Sequence, residues 1–213
     1  MHIISTNAQD PDNIAIAAAV KALQKGEIIA YLTDTLYGLG GDARSLIAIE
    51  KIFSLKDRAT EKALPVIVGE KALVEKYVEA IPPVAAKLIE QFWPGPLTLI
   101  FKAAATVPPE LIGHSGKIAM RLPAAKLARE ISRNLGAPII ATSANRSGEP
   151  ALNSAEQIAK TFGKQLALIL DSGPPVQQQP STIIDVTTQP PLLVRAGVIP
   201  AAEITGRIGE LQT

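Results

Sequence analysis

Apolar residues along the chain follow two spacings, and each predicts one kind of secondary structure. Apolar positions three or four residues apart are typical of helices with one buried face, whereas short β-branched or alternating runs are typical of strands. The first predicted helix has Asp10 as N-cap and Pro11 as its first residue, and it ends at Gly26. Further helices are predicted over residues 45–55, 71–78, 83–92, 124–135, 155–162 and 202–211. Strands are predicted over residues 27–32, 64–68, 97–101, 118–121, 138–141, 166–170, 182–186 and 192–194.

Strands and helices alternate irregularly along the whole chain, which predicts an α/β fold. The irregular order favours one mixed sheet over a simple doubly wound parallel sheet. Residues 138–141 contain no polar side chain, as expected of a strand covered on both faces. The only linker-like stretch, residues 172–180, is too short to separate independent domains. We therefore expect one domain over residues 1–213.

Composition excludes several classes of protein and of site. The chain has 213 residues, a net charge of +1 and 47% apolar residues, which is typical of a globular domain. It has no cysteine and only two histidines, so thiolate sites, disulfides and a histidine-rich metal centre are not expected. No apolar run approaches the ~20 residues of a membrane span, and the N-terminus lacks the pattern of a signal peptide. These features predict a cytoplasmic protein that does not enter a membrane.

Residues 33–43, TDTLYGLGGDA, combine three hydroxyls, two carboxylates and three glycines after a predicted strand. Hydroxyls supply hydrogen-bond donors and acceptors, and glycines allow the backbone to approach a ligand closely. We therefore predict a ligand-binding loop, with a glycine-rich connector that binds nothing as the alternative. Residues 38–43 also match G-x-G-x-x-A, but five residues separate the strand from the first glycine. A dinucleotide-binding motif needs that glycine at the strand end.

Further polar clusters stand at the ends of predicted elements, where open α/β sheets bind ligands. Their cations, hydroxyls and amide suit an anion, and three cations within residues 56–62 favour a polyphosphate. Taken singly, each cluster has an ordinary structural explanation as a helix-end pair, a surface salt bridge or a turn cap. The clusters contain Lys56, Arg58 and Lys62; Arg121; Ser143 and Asn145; Ser181 and Thr182; and Arg195 with Gly197.

Trp93, beside two prolines, could stack on a base, although we expect it to fix a loop against the core.

Eight motifs taken together resemble the YrdC-like threonylcarbamoyl-AMP synthases, in family order from about residue 10 to residue 200. They are TDTLYGL at 33–39, KDR at 56–58, KALP at 62–65, WPGPLT at 93–98, RLP at 121–123, TSANRSG at 142–148, PSTI at 180–183 and VRAG at 194–197. The resemblance implies a YrdC/RibB-like fold, a twisted open sheet with flanking helices around a concave, positively charged face. It also implies that L-threonine, bicarbonate and ATP react to give threonylcarbamoyl-adenylate and pyrophosphate. That product serves the N6-threonylcarbamoyl modification of adenosine next to the anticodon in ANN-decoding tRNAs.

The resemblance also implies roles for individual residues. Threonine would be held by Thr35, Arg121 and Ser181, with Arg121 on its carboxylate. ATP would be held by Lys56, Arg58, Lys62, Ser143, Asn145 and Arg195, of which Lys56 and Arg58 would position the reacting groups. Mg²⁺ would accompany ATP and take no ligand from the protein. The chain departs from the family pattern at Ala63 and Ala196, where proline is common, but neither change removes a contacting group.

Two other functions remain open at this point. The first is an RNA-binding or ribosome-associated module of the same fold without synthase activity, which would bind RNA through the basic face. The 4% aromatic content and the net charge of +1 argue against RNA binding as the main role. The second is a carbamoyl-transfer domain of the hydrogenase-maturation type, which normally accompanies other domains. For a synthase, the expected partner is a downstream threonylcarbamoyl-transferase protein that receives the adenylate, with weak tRNA binding in addition.

Overall fold

The computed structural model describes residues 2–177 and 179–213, and these form two mixed β-sheets with flanking helices. The strands are β1 (His2–Ser5), β2 (Ile29–Leu32), β3 (Tyr37–Gly40), β4 (Val66–Ile67), β5 (Leu97–Lys102), β6 (Lys117–Arg121), β7 (Ile139–Ile140), β8 (Thr142–Ser143), β9 (Leu168–Asp171), β10 (Thr182–Asp185) and β11 (Leu192–Arg195). The α-helices are α1 (Asn13–Gln24), α2 (Leu46–Lys56), α3 (Pro83–Phe92), α4 (Pro109–Ile112), α5 (Lys126–Leu135), α6 (Ala155–Phe162) and α7 (Ala201–Ile208). The α/β class and the mixed character of the sheet are confirmed.

The expectation of one sheet is wrong, because the strands divide into two. The first sheet has the order β1-β9-β2-β3-β8, and the second has the order β11-β10-β5-β6-β4-β7. The predicted strand over residues 138–141 causes the difference. Only residues 139–140 of it form a strand, β7, which pairs with β4. Residues 142–143, which follow the predicted strand, form β8 and pair with β3, so the chain passes from one sheet to the other at Ala141.

The predicted ligand loop over residues 33–43 is only partly a loop. Its central residues, 37–40, form β3, which pairs with β2 in an antiparallel hairpin. The glycines here permit close packing within the sheet, since a Cβ on Gly40 would lie 2.6 Å from Cε1 of Tyr31. Residues 33–36 form the turn, in which the Thr33 hydroxyl donates to the Leu36 carbonyl at 2.8 Å. The dinucleotide motif is therefore absent here, because Gly38 and Gly40 lie in a strand and not at a helix N-terminus.

Several element boundaries differ from the predicted ones for local reasons. The N-cap of α1 is Asp12 instead of Asp10, since Oδ1 of Asp12 accepts the amide of Ala15 at 2.8 Å. Residues 71–76 form a 3₁₀ helix in place of the predicted α-helix over 71–78. The last helix ends at Ile208, because the chain then returns to pair Gln212 with Leu192.

In addition to β3 and β8, one strand and one α-helix of the described residues were not predicted, and both are short. They are β1, which is largely exposed and pairs in parallel with β9, and the one-turn helix α4. Too few residues follow one spacing in either element to give a pattern. No helix in the described ranges combines the length and apolarity needed to cross a bilayer.

The core covers both faces of the first sheet. Along β2, Ala30 and Leu32 pack into the main apolar cluster, which also contains buried residues of the second sheet. Ile29 and Tyr31 point to the opposite face, against α1 and α5. This alternation with a period of two residues explains why the whole of β2 is buried. One apolar cluster thus joins both sheets, as expected of one domain.

Trp93 belongs to that cluster, with 4% of its surface exposed. Its Nε1 donates to the carbonyl of Leu97 at 2.6 Å, which ties the turn to the start of β5. The prediction that Trp93 fixes a loop against the core is confirmed.

After β11 the chain folds back over the start of β10. The amide of Val198 donates to the Pro180 carbonyl at 3.0 Å, and the amide of Ile199 donates to Oγ1 of Thr182 at 2.9 Å. Gly197 lies at the point of closest approach. A Cβ at this position would lie 2.3 Å from the Pro180 carbonyl oxygen and 2.5 Å from the Thr182 nitrogen. Only glycine allows this crossing.

We predict that Gly197→Ala lowers the free energy of unfolding by about 1–3 kcal/mol, because the backbone at 180–182 cannot yield as a side chain could. Chemical denaturation followed by circular dichroism measures the change. Gly206→Ala in α7 is the matched control, since a Cβ there meets no atom within 4 Å, and it should leave stability unchanged or raise it. Equal losses in both variants would contradict this explanation.

The C-cap of α2 is a residue in the left-handed conformation, Asp57, with φ of 50° and ψ of 49°. Glycine is the usual residue in this conformation, but here an aspartate adopts it. The amide of Asp57 closes the helix by donating to the Ser54 carbonyl at 3.3 Å. Left-handed backbone at a non-glycine residue costs about 1 kcal/mol or more. The change of direction at Asp57 places Lys56 and Arg58 on the wall of the same cavity.

We predict that Asp57→Gly raises the free energy of unfolding by up to about 1 kcal/mol, whereas Asp57→Val lowers it by about 1–2 kcal/mol. Thermal and urea unfolding of the two variants against the parent protein measure both shifts. If valine proved as stable as glycine, the left-handed backbone at this position would not be the constraint.

Candidate functional site

A cavity of about 520 Å³ lies between the two sheets. Its wall includes residues of β3 and β8 from the first sheet and of β4, β5, β6 and β10 from the second. The residues predicted to bind threonine and most of those predicted to bind ATP line it together: Thr35, Arg58, Arg121, Ser143, Asn145, Ser181 and Arg195. A second cavity of about 420 Å³ adjoins it and contains the other two, Lys56 and Lys62. Arg58, Ser143 and Asn145 line both cavities. The predicted site residues therefore converge.

At one end of the larger cavity, a buried guanidinium lies among hydroxyl groups. Nη1 of Arg121 donates to Oγ1 of Thr35 at 3.3 Å and lies 3.3 Å from Oδ1 of Asp34. The Thr35 hydroxyl also pairs with that of Thr33 at 3.0 Å. Arg121 is the last residue of β6, and this position directs its side chain to the edge of the sheet where the loops meet. Hydroxyls around a cation form a site for a small polar anion.

Ser181 connects this end to the rim. Its hydroxyl pairs with Oγ1 of Thr98 at 2.8 Å and accepts from Nη2 of Arg195 at 3.0 Å. Nε and Nη2 of Arg195 also donate to the Ser181 carbonyl, at 3.1 Å and 2.8 Å. Partial desolvation and the nearby charge of Arg121 lower the pKa of Arg195. The two guanidinium groups thus lie close enough to repel each other.

Lys56 is buried, with 2% of its surface exposed, and it holds the loop after β8. Its ammonium donates to the carbonyls of Ser143 at 2.6 Å and Asn145 at 2.7 Å, and to Oδ1 of Asn145 at 3.3 Å. Its own carbonyl accepts the amide of Ser147 at 2.8 Å. Burial, followed by the charge of Arg58, lowers the pKa of Lys56 to about 8. Lys56 therefore both shapes the loop and brings a positive charge to the second cavity.

Arg58 extends along both cavities and is only partly paired. Nη2 donates to the Ala63 carbonyl at 2.9 Å, and Nε is buried with no hydrogen-bond partner among the described residues. Burial lowers the pKa of Arg58. Lys62, by contrast, is exposed at the edge of the second cavity. A guanidinium with an unused donor at a cavity wall is suited to bind an incoming anion.

Asn145 uses its side chain within its own loop. Nδ2 donates to the carbonyls of Arg146 at 2.8 Å and Glu149 at 2.7 Å, while Oδ1 accepts the Ser143 hydroxyl. This loop is compact, and its residues Ser143 and Asn145 line both cavities. The arrangement agrees with a residue that shapes the pocket.

Some polar residues of the cavity wall were not predicted to bind a ligand, among them Thr98 and Glu149. Thr98 stands in the WPGPLT motif at the start of β5, one residue after a turn, and that position could have indicated it. Glu149 lies in an exposed loop, and no pattern distinguishes it from a solvated surface residue. The larger cavity is lined by three arginines and one carboxylate, an excess of positive charge.

Comparison with known proteins agrees with the fold and with the motifs. The family model Sua5_yciO_yrdC, with the description "Telomere recombination", matches residues 21–197. A protein of Pyrococcus abyssi named threonylcarbamoyl-AMP synthase is 36% identical over 197 residues, which are 92% of this chain and 58% of that protein. A protein of the same name from Thiobacillus denitrificans is 34% identical over 166 residues, which are 78% of this chain and 88% of that protein.

A crystal structure of P. abyssi Sua5 complexed with L-threonine matches with a TM-score of 0.95 and 34% identity. The match covers 100% of this chain and 62% of that one, so this chain spans less than two thirds of the Pyrococcus protein. The family model covers most of the chain, and the fold agrees throughout. The chain therefore belongs to the Sua5/YciO/YrdC family, as its motifs predicted.

Proposed function

We propose that this chain is a threonylcarbamoyl-AMP synthase, which forms threonylcarbamoyl-adenylate and pyrophosphate from L-threonine, bicarbonate and ATP. The observation that carries the proposal is the meeting of two different subsites between the sheets. One is a buried guanidinium among hydroxyls, and the other is a cluster of cations around a compact loop. The names of the relatives, at 34–36% identity, support the same activity.

In this proposal, threonine occupies the end of the cavity formed by Thr35, Arg121 and Ser181. Arg121 binds the α-carboxylate through charge-assisted hydrogen bonds, which are strong where water is excluded. The hydroxyls of Thr35 and Ser181 bind the remaining polar groups of the amino acid. These three residues are at most 7% exposed, so a bound amino acid would be largely enclosed.

ATP extends from the larger cavity into the smaller one. Arg58 and Lys62 bind its phosphates, Lys56 adds a positive charge, and Arg195 contributes from the opposite rim. Ser143 and Asn145 form the wall on which the nucleotide lies. Several cations around one pocket suit a polyphosphate better than a single monoanion.

The proposed reaction needs two bond-forming steps. The neutral threonine amine adds to the carbon of CO₂ and releases a proton, or it adds to bicarbonate and the amine proton leaves with hydroxide as water; either route gives a carbamate. A carbamate oxygen then attacks the α-phosphorus of ATP, and the bond from that phosphorus to the bridging oxygen of pyrophosphate breaks. The protein positions both reactants and stabilises the charge that develops on the phosphates, without a covalent intermediate.

We also propose that Mg²⁺ enters with ATP. The donor set of the site is cationic and hydroxylic, and the described ranges contain no group of three or more acidic, histidine or cysteine side chains suited to a metal. The phosphate oxygens of ATP would then coordinate the ion without ligands from the protein, and Mg²⁺ would offset the negative charge of the phosphates. The adenylate is reactive, so a threonylcarbamoyl-transferase protein would receive it directly. We also propose that the chain binds tRNA weakly and that it acts in the cytoplasm.

We predict that the purified protein releases pyrophosphate from ATP only when both threonine and bicarbonate are present. Arg58→Ala should lower this rate by at least about a hundredfold, because it removes the guanidinium that lines both cavities. A coupled pyrophosphate assay measures the rate. Arg44→Ala is the matched control, since Arg44 pairs with Asp42 and is half-exposed, and it should retain the parent rate.

The proposal fails if the protein binds ATP and threonine but releases no pyrophosphate with bicarbonate present. An RNA-binding module of the same fold would instead bind RNA in a salt-dependent manner. In that case Arg58→Ala would merely weaken the binding of RNA.

We predict that ATP binding at pH 8 takes up about half a proton, and about a tenth of a proton at pH 7. The pKa of Lys56 in the free protein is about 8, and the phosphates raise it by favouring the charged amine. The affinity for ATP should therefore fall as the pH rises above 8. Calorimetric titration in two buffers of different ionisation enthalpy measures the proton uptake.

Lys56→Met removes the titrating group and should abolish the uptake at pH 8. Lys51→Met is the control, because the Lys51 amine bonds to the Gly26 carbonyl at 2.9 Å and lines neither cavity. Uptake that persists without Lys56 would assign the effect to another group.

A further inference from the structure

Asp34 carries a buried carboxylate that has no role in the proposed reaction so far. Its side chain is 9% exposed, and neither oxygen makes a hydrogen bond to the described residues. Oδ1 lies 3.3 Å from Nη1 of Arg121, whose side chain is 7% exposed. Burying a carboxylate without hydrogen bonds is costly, and such groups in folded proteins usually have a function. Asp34 does not itself line the cavity, but it pairs with Arg121, which does, so its charge lies next to the wall.

The charge of Asp34 opposes that of Arg121 at short range. Arg195 is the other cation near Arg121, and in the proposed complex the phosphates of ATP offset its charge. In that complex, the carboxylate of Asp34 compensates the positive charge of Arg121. Because both groups are buried, water and salt screen their fields little. Glu149, the carboxylate on the cavity wall, is exposed, and its field is screened more strongly.

We propose that Asp34 determines the charge of the amino acid that the site accepts. Its carboxylate offsets Arg121, so the pocket takes an amino acid with a single carboxylate and rejects one whose side chain carries a second. The inference rests on the proposed function, since it assumes that Arg121 binds the α-carboxylate. L-Threonine is a zwitterion without net charge and fits a pair of opposite charges. L-Aspartate has a similar size, but its second carboxylate would face the field of Asp34 without a cation of its own.

The test compares L-aspartate with L-asparagine as competitors of threonine, because the two differ in charge and hardly in shape. Inhibition constants are measured in the pyrophosphate assay, or by calorimetric displacement of threonine where turnover is low. In the parent protein, aspartate should compete at least about tenfold more weakly than asparagine. Asp34→Asn should lower the ratio of the two constants by at least about tenfold, with Asp34→Ser as a second variant.

Asp185→Asn is the matched control. Asp185 is also buried and ion-paired, with Oδ2 at 2.8 Å from Nζ of Lys117, but Lys117 does not line the cavity, whereas Arg121, the partner of Asp34, does. Its loss should leave the ratio unchanged. A pocket loosened by a merely structural change would weaken both competitors alike, and the ratio would again stay the same.

The proposal is wrong if aspartate competes as well as asparagine with the parent protein. It is also wrong if a folded Asp34 variant keeps the parent ratio or does not bind aspartate at all. If neither variant folds, the ratio in the parent protein decides. The proposed function would fail in a different measurement, the threonine-dependent release of pyrophosphate by the parent protein without any competitor.

Discussion

The site depends on the passage of one short segment between two sheets. β7 pairs with β4 and β8 pairs with β3, with only Ala141 between them. The amide of Ala141 donates to the Pro65 carbonyl of one sheet region at 2.8 Å, and the amide of Ala144 donates to the Tyr37 carbonyl of the other at 2.9 Å. Backbone pairing of this kind leaves little freedom in the spacing of the two sheet edges. The cavity between them is therefore part of the fold itself.

Lys56 is buried beside that cavity and Arg58 is partly buried, and removing cations from water is costly unless their donors are used. The protein uses backbone carbonyls for this purpose: Lys56 bonds to two of them, Arg58 to one and Arg195 to another. Carbonyls satisfy the donors without cancelling the net charge. The cations are thus held in place by the protein itself, so binding the proposed polyphosphate would need little reorganisation.

The end of the cavity proposed to bind threonine follows a different principle. There the cation Arg121 faces a carboxylate, and hydroxyls surround the pair. A balanced pair suits a zwitterion, whereas an unbalanced cluster suits a phosphate chain. In the proposed complex, the two parts of the site would in this way select ligands of different charge, and the distinction would come from a single acidic side chain, Asp34.

The family motifs allowed the site residues to be predicted individually, and the structure places all of them on two adjoining cavities. The helices were also predicted closely where caps and apolar spacing coincide, as for α3, which matches in both bounds, and for α6 with its N-cap Ser154. Short strands were predicted less well. Gly40 was predicted to lie in a loop, yet it lies in strand β3. Its lack of a side chain leaves room for the ring of Tyr31.

The sequence by itself determined the α/β class, the family and the chemical types that meet at the site, because these depend on residue identity and local spacing. Tertiary structure alone decided that residues 138–143 serve two sheets, since pairing partners far along the chain choose the register of each strand. It also decided that the Lys56 amine is directed at the backbone of a loop and that Asp34 stands beside Arg121. Burial and charge pairing of that kind arise only when segments separated by about ninety residues come into contact.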